Sequence, residues 1–172
     1  MAVDKTPNRV WIQVKDARTL RQISRIITLL IEAERIAAHK GAEEIKNRAQ
    51  EILSALEHPA ETRTPSPPGA PPAMITGQLR ESIMVSDLGK GSQVGPTALA
   101  SSTNGPYGRF LELGGKHEGN MHWREDGQWH SARILMKLPR PYMKPARDSS
   151  LEEIRHIVAR EVRDAIRMGL RG

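Results

Sequence analysis

Apolar residues recur at three- and four-residue steps along one long stretch of the chain, with no proline between Asp16 and Glu57. This spacing places the apolar side chains on one face of a helix. Asp16 and Thr19 are both N-cap candidates, and Gly41 is a candidate break. The stripe consists of Leu20, Ile23, Ile26, Ile27, Leu30, Ala37, Ile45, Ala49, Ile52, Leu53 and Leu56. We predict one helix of about 40 residues, roughly 60 Å long.

Shorter patterns flank this helix. Residues 10–14 (VWIQV) alternate apolar and polar side chains, as a short strand or an ordered arm does, and we assign residues 1–16 to an N-terminal arm. Further along, the sequence predicts two hairpins, a short helix and a strand-like run. The first hairpin pairs 83–88 with 92–97, and the second covers 121–131 and turns at Asp126-Gly127. The short helix begins at Tyr107 and is ended by Gly114-Gly115, and the strand-like run is 132–138.

The end of the chain predicts a second long helix. Asp148 or Ser149 is the candidate N-cap, with Glu152 completing a capping box, and Gly169 is the candidate stop after Met168. Helix, strands and helix in this order predict an α+β fold rather than a parallel α/β sheet. It has a long N-terminal helix, a small antiparallel sheet with hairpins and a C-terminal helix, all within one domain of residues 17–172.

Residues 58–75 form a proline-rich segment, here called the strap, with prolines at 59, 65, 67, 68, 71 and 72. This density of proline excludes helix and favours a stiff polyproline II conformation. Such a strap suits contact with another chain through Pro67, Pro68, Gly69, Pro71 and Pro72. It could also bind a proline-reading domain or act as a passive linker.

Composition narrows the classes of function. The 172 residues carry 26 Lys and Arg against 20 Asp and Glu, a net charge of +6, which tolerates polyanions without the charge density of a histone-like protein. The three Trp, two Tyr and one Phe predict an aliphatic core, and the absence of cysteine excludes disulfides and thiolate chemistry. No apolar run is long enough for a membrane span, so we expect no membrane partner.

Histidines at 117, 122 and 130 lie near Glu118, Glu125 and Asp126. Their spacing matches no closed zinc motif, and a hairpin that places Trp123 opposite His130 and Arg124 opposite Trp129 explains the neighbourhood. No serine lies in a nucleophile elbow, and no phosphate-binding glycine loop is present. We expect neither enzymatic activity nor a metal or cofactor.

The last helix has two sides at about 100° per residue. Leu151, Ile154, Val158, Val162 and Ala165 cluster on one side, whereas His156, Arg160, Arg163, Arg167 and Arg171 cluster on the other. The four arginines could meet phosphates of DNA or an acidic partner. The alternative is a solvated helix face, on which the cations near the C-terminus are stabilised by the helix dipole.

Two further features predict contacts between chains. Trp123 and Trp129 lie close to the polar tip of a hairpin, where amphipathic rings are costly as free surface but common at interfaces. We therefore expect this hairpin to project and dock on another protein. The long helix is too long for the rest of the chain to cover, which favours an interface between copies of the chain over a locally buried core.

Three sequence blocks follow one another along the chain. They are SPPGAPPAMITGQLRESI at 66–83, with its LRxSI segment, YGRFLELGG at 107–115, similar to a YAxFxEFG block, and RPYMKPARDS at 140–149, similar to an RPFLRPALD block. In this order they resemble the small tail-component or neck proteins of long-tailed bacteriophages. The resemblance spans residues 20–168. The arm of residues 1–16 and the length of 116–131 depart from the pattern.

The resemblance implies a structural virion protein without catalytic residues, assembled in the host cytoplasm. It implies a homo-oligomeric ring, six-fold by preference and twelve-fold as the alternative, that joins the head connector to the tail around the DNA channel. Its partners would be connector or head-closure proteins, tail-terminator or tail-tube proteins, and DNA passing through without sequence specificity. Arg160, Arg163, Arg167 and Arg171 are the candidate channel face.

Two other classes remain as alternatives. A basic nucleic-acid-binding or regulatory protein fits the net charge, although the aromatic residues form no stacking platform and no helix-turn-helix pattern is present. A metal-dependent hydrolase would depend on the histidines alone.

Overall fold

The structure, a computed structural model of the chain, describes residues 16–55, 66–74, 76–97, 107–125 and 127–171. The predicted arm up to residue 15 and strap residues 58–65 and 75 lie outside these ranges. The fold is α+β, as predicted. Its elements are α1 Ala17–Ser54, α2 Gln78–Glu81, β1 Ile83–Asp87, β2 Ser92–Pro96, α3 Tyr107–Leu113, β3 Gly115–Glu125, β4 Gln128–Lys137 and α4 Met143–Leu170.

Helix α1 begins at the cap that its sequence predicts. The Asp16 carboxylate accepts hydrogen bonds from the backbone N–H groups of Arg18 (3.2 Å) and Thr19 (2.9 Å) and from the Thr19 hydroxyl (2.7 Å). The hydroxyl bond is the main reason why the pKa of Asp16 is lowered. Asp16 is therefore the cap and Thr19 lies in the first turn. The helix runs without a break through Gly41 and ends at Ser54.

The strands form two separate antiparallel ribbons rather than one small sheet. In the first, Val85 pairs with Val94. In the second, Trp123 pairs with His130 and Arg124 with Trp129, as predicted, and an irregularity lies between Glu118 and Met121. This hairpin is longer than the predicted 121–131, because the run 132–138 is the continuation of its returning strand.

Helix α4 begins at Met143 with Tyr142 at the N-cap position, six or seven residues before the predicted caps Asp148 and Ser149. Glu112 of α3 supplies the cap from 30 residues away. Its Oε2 accepts hydrogen bonds from the backbone N–H groups of Tyr142 (2.7 Å) and Met143 (2.9 Å), and its Oε1 accepts one from Lys144 (2.8 Å). A carboxylate at this position binds orphan donors and opposes the positive end of the helix dipole. Asp148 and Ser149 therefore lie inside the helix.

The predicted stop at Gly169 is also wrong, because the helix continues to Leu170. Gly169 is buried, and a Cβ atom there would overlap the side chain of Ile26 on α1. This glycine therefore permits close helix packing and does not end the helix.

The core lies where the second half of α1 meets the start of α4, β1 and α3. It consists of Ala49, Leu53, Ile83, Leu111, Tyr142 and Ala146. The expectation of a purely aliphatic core is wrong, because Tyr142 is fully buried at its centre. Gly108 makes room for this ring: a Cβ at Gly108 would lie 2.5 Å from the Tyr142 hydroxyl.

The described part of the strap packs on its own chain. Gly69 donates a backbone hydrogen bond to the Pro139 carbonyl (3.0 Å), and Arg140 Nε donates to the Ser66 carbonyl (2.8 Å). Pro72 is buried and Pro71 half-buried. Among the described strap residues, Pro67, Pro68 and Gly69 are exposed and offer surface to another chain.

Removing the Glu112 cap should destabilise the protein. Glu112→Ala leaves three backbone donors at the start of α4 without their acceptor, and we expect the free energy of unfolding to fall by about 2–3 kcal/mol in urea titration. Glu153→Gln, at an exposed carboxylate of α4, is the control and should change little. Equal stability of both variants would show that Glu112 is not the cap.

Acidification should loosen the contact between β1 and α1. His39 Nδ1 donates to Asp87 Oδ1 (3.0 Å), and this bond, followed by the bond from the Ser92 hydroxyl, lowers the pKa of Asp87. A carboxyl whose pKa is lower in the folded state stabilises above its unfolded pKa, near 4, and loses that contribution as pH falls through its folded pKa.

The matched variants are Asp87→Asn and Asp148→Asn. In urea titrations at pH values from about 6 down to about 3, near and below the ordinary carboxyl pKa, Asp87→Asn should lose less stability than the wild type, and Asp148→Asn should follow the wild type. If the wild type and both variants lost the same amount of stability as the pH falls, Asp87 would not be the carboxylate that stabilises the contact between β1 and α1.

Candidate nucleic-acid interface

Helices α1 and α4 pack side by side in antiparallel orientation. Gly41 lies against Ile154, and Gly169 lies against Ile26 near the other end of the contact. Small buried residues line the contact, among them Ala33 and Ala37 on α1 and Ala165 on α4. We call this line of contact the seam, and its small residues let the two helices approach closely.

One ion pair crosses the seam. Lys40 Nζ donates to Glu161 Oε1 at 2.7 Å, and the Glu161 side chain is only 15% exposed. The hydrogen bond from Lys40 is the main reason why the pKa of Glu161 is lowered. The pair therefore adds one polar contact to the apolar contacts of the seam.

The predicted arginine stripe of α4 is exposed along its whole length, at Arg160, Arg163, Arg167 and Arg171. Arg160 Nε lies 3.6 Å from Glu161. The other three have no carboxylate within 4 Å among the described residues. Their charge is therefore available to an anion from outside the subunit.

The apolar side predicted for α4 is only partly correct. Leu151 and Val158 are 45% and 42% exposed, and the buried residues are instead Ala146, Ser150, Ile157, Ala165 and Gly169. Hydrophobicity alone placed the buried side slightly off the true contact. The polar Ser150 tolerates burial because its hydroxyl donates to the Ala146 carbonyl at 2.8 Å.

Helix α1 adds three arginines that the sequence analysis did not identify: Arg18, Arg21 and Arg25, all exposed. Arg25 directly precedes the seam residue Ile26, just as Arg160 directly precedes the seam residue Glu161. A step of one residue turns about 100° round a helix. Because α1 and α4 are antiparallel, the residue that precedes a seam residue lies on the same side of the pair in both helices.

These arginines therefore combine into one basic surface. On α4, Arg160 and Arg171 are turned toward one side of the helix pair, and the α1 arginines, Arg18, Arg21 and Arg25, lie on that same side. The outer surface of α4 is covered by Arg163 and Arg167. The surface extends about 25 Å along the helix pair, most of the length of one DNA turn. Asp164 interrupts it, and Glu153 lies about two turns of α4 beyond its Arg160 end. Such a surface can bind phosphates without reading base sequence.

The hairpin of β3 and β4 projects from the body. Its strands contact mainly each other, and near its base Lys137 Nζ lies 5.4 Å from the centre of the Phe110 ring. Trp129 is 74% exposed. Ile134 and Met136, two positions apart on β4, are also exposed, as is Leu138 directly after the strand. The side chain of Trp123 lies outside the described part of the structure.

Two of the three histidines of this hairpin, His122 and His130, lie on different faces, and the side chain of His117 lies outside the described part of the structure. His122 pairs with Ser131 and His130 with Trp123, so these neighbouring pairs place His122 and His130 on opposite faces of the ribbon. Within the described ranges, no three His, Asp or Glu side chains gather where they could hold a metal ion. No described helix is long and apolar enough to cross a membrane.

Comparison of the chain with protein-family models, with curated proteins and with solved structures found no match. Its function is therefore inferred from its own residues and geometry. The signal for the missed part of the basic surface is the spacing of Arg18, Arg21 and Arg25 at three- and four-residue steps. Their connection with α4 becomes visible only when the antiparallel packing is known.

The basic surface should bind duplex DNA weakly, without sequence preference and with strong dependence on salt. Arg21→Gln with Arg25→Gln, and separately Arg163→Gln with Arg167→Gln, should each lower the slope of log affinity against log salt by up to about two, because each arginine removed leaves one phosphate without its cation. The measurement is fluorescence anisotropy of a labelled duplex.

Arg48→Gln is the control for this experiment, since Arg48 is ion-paired with Glu44 and Glu51 on another part of α1. Its slope should equal that of the wild type. An equal reduction in all variants would show a general charge effect and contradict a defined surface.

Proposed function

We propose that this protein is a structural subunit of the neck of a tailed bacteriophage. Copies of it form a ring that joins the head connector to the tail around the DNA channel, and it performs no catalysis. It is assembled in the host cytoplasm and resides in the virion. The sequence resemblance motivates the proposal, and the geometry of the subunit supports it.

The three blocks that carry the resemblance meet at one place. Glu112 of the second block binds the start of α4 in the third. Arg140 of the third block binds the Ser66 carbonyl of the first, and its backbone N–H donates to the Leu111 carbonyl (2.7 Å). Residues far apart in the chain thus act as one structural unit at the start of α4.

The observation that carries the proposal is that the subunit has two exposed surfaces, the hairpin and the basic surface, that lie apart from each other. The projecting hairpin joins the body at the start of α4, whereas the basic surface covers the second half of α4, which is about 42 Å long. A ring subunit around DNA needs one surface for its neighbour and another for phosphates. This chain offers both at opposite ends of one helix.

A hairpin that docks on a different surface of the next copy gives a head-to-tail interface, which closes into a ring when the rotation per subunit allows it. Six copies would match the tail and twelve would match the portal. The ring would contact connector or head-closure proteins on one side and tail-terminator or tail-tube proteins on the other. The exposed Pro67, Pro68 and Gly69 offer additional surface to a neighbouring chain.

The basic surface suits transient contact with DNA. Arginines repeated around a ring would hold DNA strongly at low salt, because affinity grows with the number of neutralised phosphates. Asp164 and Glu153 reduce this attraction, as passage of DNA requires.

The second candidate function is a basic nucleic-acid-binding or regulatory protein. The arginines contributed by two helices favour it. It differs from the first in its expected mass: a regulator binds DNA as a monomer or dimer, whereas a neck subunit assembles into larger rings.

Changing the hairpin should impair assembly but leave the subunit folded. Trp129→Ser with Met136→Ser removes two exposed apolar side chains. The helical circular dichroism and the urea midpoint should stay within experimental error of the wild type, because neither side chain is in the core. Ring formation, measured by native mass spectrometry or by incorporation into phage particles, should fall at least tenfold.

Leu151→Ser is the control, since this exposed leucine lies on α4 away from the hairpin. Normal assembly of the hairpin variant would contradict its docking role. Tight, salt-sensitive DNA binding by a monomer or dimer that never assembles would favour the regulatory function.

A further inference from the structure

The helix pair has an uncovered apolar face on the side opposite the arginines that α1 contributes. On α1, Ile27 directly follows Ile26 at the seam, and on α4, Ile166 directly follows the buried Ala165. Because the two helices are antiparallel, residues that follow the seam lie on one side of the pair in both helices. With neighbours one or two turns away, they form the apolar face, which consists of Leu20, Ile23, Ile27, Ile31, Val162, Ile166 and Leu170.

This face continues a surface that is covered further along α1. Ala49 lies 18 residues beyond Ile31, which is about five helical turns, so the two side chains point in the same direction. Ala49 is fully buried in the core, whereas Ile31 is 64% exposed. The elements that cover the other end of α1 therefore stop short of the apolar face, and its aliphatic side chains lie in water.

The apolar face is large for a surface without a partner. Seven aliphatic side chains in one patch expose on the order of 500 Å², near the upper limit for a monomeric protein. A standard interface buries roughly 800 Å² on each partner. The apolar face with its polar border is therefore large enough to be one half of a specific protein interface.

The hairpin of the same subunit does not cover this face. Its strands contact mainly each other, and it joins the body at the start of α4. Val162 lies 19 residues beyond Met143, the first residue of α4, which is about 28 Å along the helix. The hairpin and the apolar face are thus two separate apolar surfaces of one subunit, as a head-to-tail interface requires.

The returning strand β4 has an apolar row that fits the groove between the two helices. Ile134 and Met136 are both exposed and lie two positions apart, on the same face of the ribbon. Side chains at this spacing on a strand are about 6.7 Å apart. Ile27 and Ile31, four residues apart on α1, are about 6 Å apart along the helix. A strand that runs along the helix pair can therefore place its two apolar side chains against consecutive helical turns.

The other strand of the hairpin supplies a polar rim. Lys116 pairs across the ribbon with Met136, and Glu118 pairs with Ile134. The two charged side chains also form an ion pair with each other. When β4 lies in the groove, this pair remains at the edge of the contact, in water. An apolar centre with a polar edge is typical of specific interfaces.

Charge favours the apolar face over the basic surface as the place where the hairpin docks. Strand β4 carries two cations, Arg133 and Lys137, and no acidic residue. The arginines of the basic surface would repel these cations. The apolar face instead has an acidic residue at its end: Glu34 lies one turn beyond Ile31, exposed and without an ion pair among the described residues.

We infer that the apolar face of each subunit binds the hairpin of the next copy, with Ile134 and Met136 in the groove between α1 and α4. This inference rests on the proposed ring and names the surface at which one subunit binds the next. It pairs the two exposed apolar surfaces of the chain with each other and leaves the basic surface free for DNA.

Disulfide trapping tests this contact, since the chain itself has no cysteine. Full-length Met136→Cys is mixed in equal amounts with Ile27→Cys, with Ile31→Cys and with Ile166→Cys, each in a glutathione redox buffer. A disulfide forms only where the two Cβ atoms come within about 4 Å of each other. At least one mixture should therefore give a covalent heterodimer, measured by intact mass, at ten or more times the yield of the control.

The control is a mixture of Met136→Cys with Leu113→Cys. Leu113 on α3 is as exposed as Ile31, 64% in each case, but it lies outside the apolar face. Circular dichroism establishes that each variant is folded. Equal heterodimer yields in the control and in all three mixtures would overturn the inference.

The mass of the wild type, measured in parallel, separates failure of this inference from failure of the proposed function. If the wild type assembles beyond a dimer but no mixture exceeds the control, the hairpin docks elsewhere and only the inference is wrong. If the wild type stays monomeric at every concentration and no disulfide forms, the ring is wrong as well. Covalent homodimers as the main product of Ile31→Cys alone would also overturn the inference and assign the face to a two-fold contact between copies.

Discussion

The interaction on which the rest of the structure depends is the binding of Glu112 to the first turn of α4. This carboxylate accepts three backbone hydrogen bonds and so fixes where α4 begins and in which direction it runs. The same position carries Tyr142 into the core and holds Arg140 against Ser66. The positions of the strap, the short helix α3 and the long helix pair relative to one another therefore depend on this interaction.

The two long helices then create the surfaces that suggest the function. A pair of helices covers only the seam between them, and the elements at one end, α2, β1 and β2, cover only half of α1. The remaining half therefore has two sides with opposite chemistry. Arginines from both helices gather on one side and around α4, and aliphatic residues gather on the other. The projecting hairpin adds a third exposed surface at the opposite end of α4.

Local patterns in the sequence were sufficient for much of the fold. Asp16 was identifiable as a cap because its bonds are to residues two and three positions away. The Asp126-Gly127 dipeptide in the sequence was enough to predict the register in which Trp123 pairs with His130. The start of α4 was missed because its cap comes from Glu112, which is distant in sequence. Gly169 resembled a helix stop, but it is a packing residue because Ile26 lies against it.

The candidate site was predictable only in part, for the same reason. The stripe from Arg160 to Arg171 follows from the periodicity of a single helix. Its extension through Arg18, Arg21 and Arg25 depends on the antiparallel packing of two helices whose arginines lie more than 130 positions apart in the sequence, which a single-helix pattern does not contain. Leu151 and Val158 were assigned to the buried side because hydrophobicity alone does not indicate which apolar residues a neighbouring helix reaches.

The central claim is that this chain is a ring subunit at the junction of head and tail. Immunogold electron microscopy of intact virions, with an antibody raised against the purified protein, tests it most directly. The predicted result is label at the head–tail junction of particles opened enough to admit the antibody, at a site shared by all labelled particles. Label on the capsid or the tail fibres, or protein that is absent from purified particles and present only in the infected cell, would contradict it.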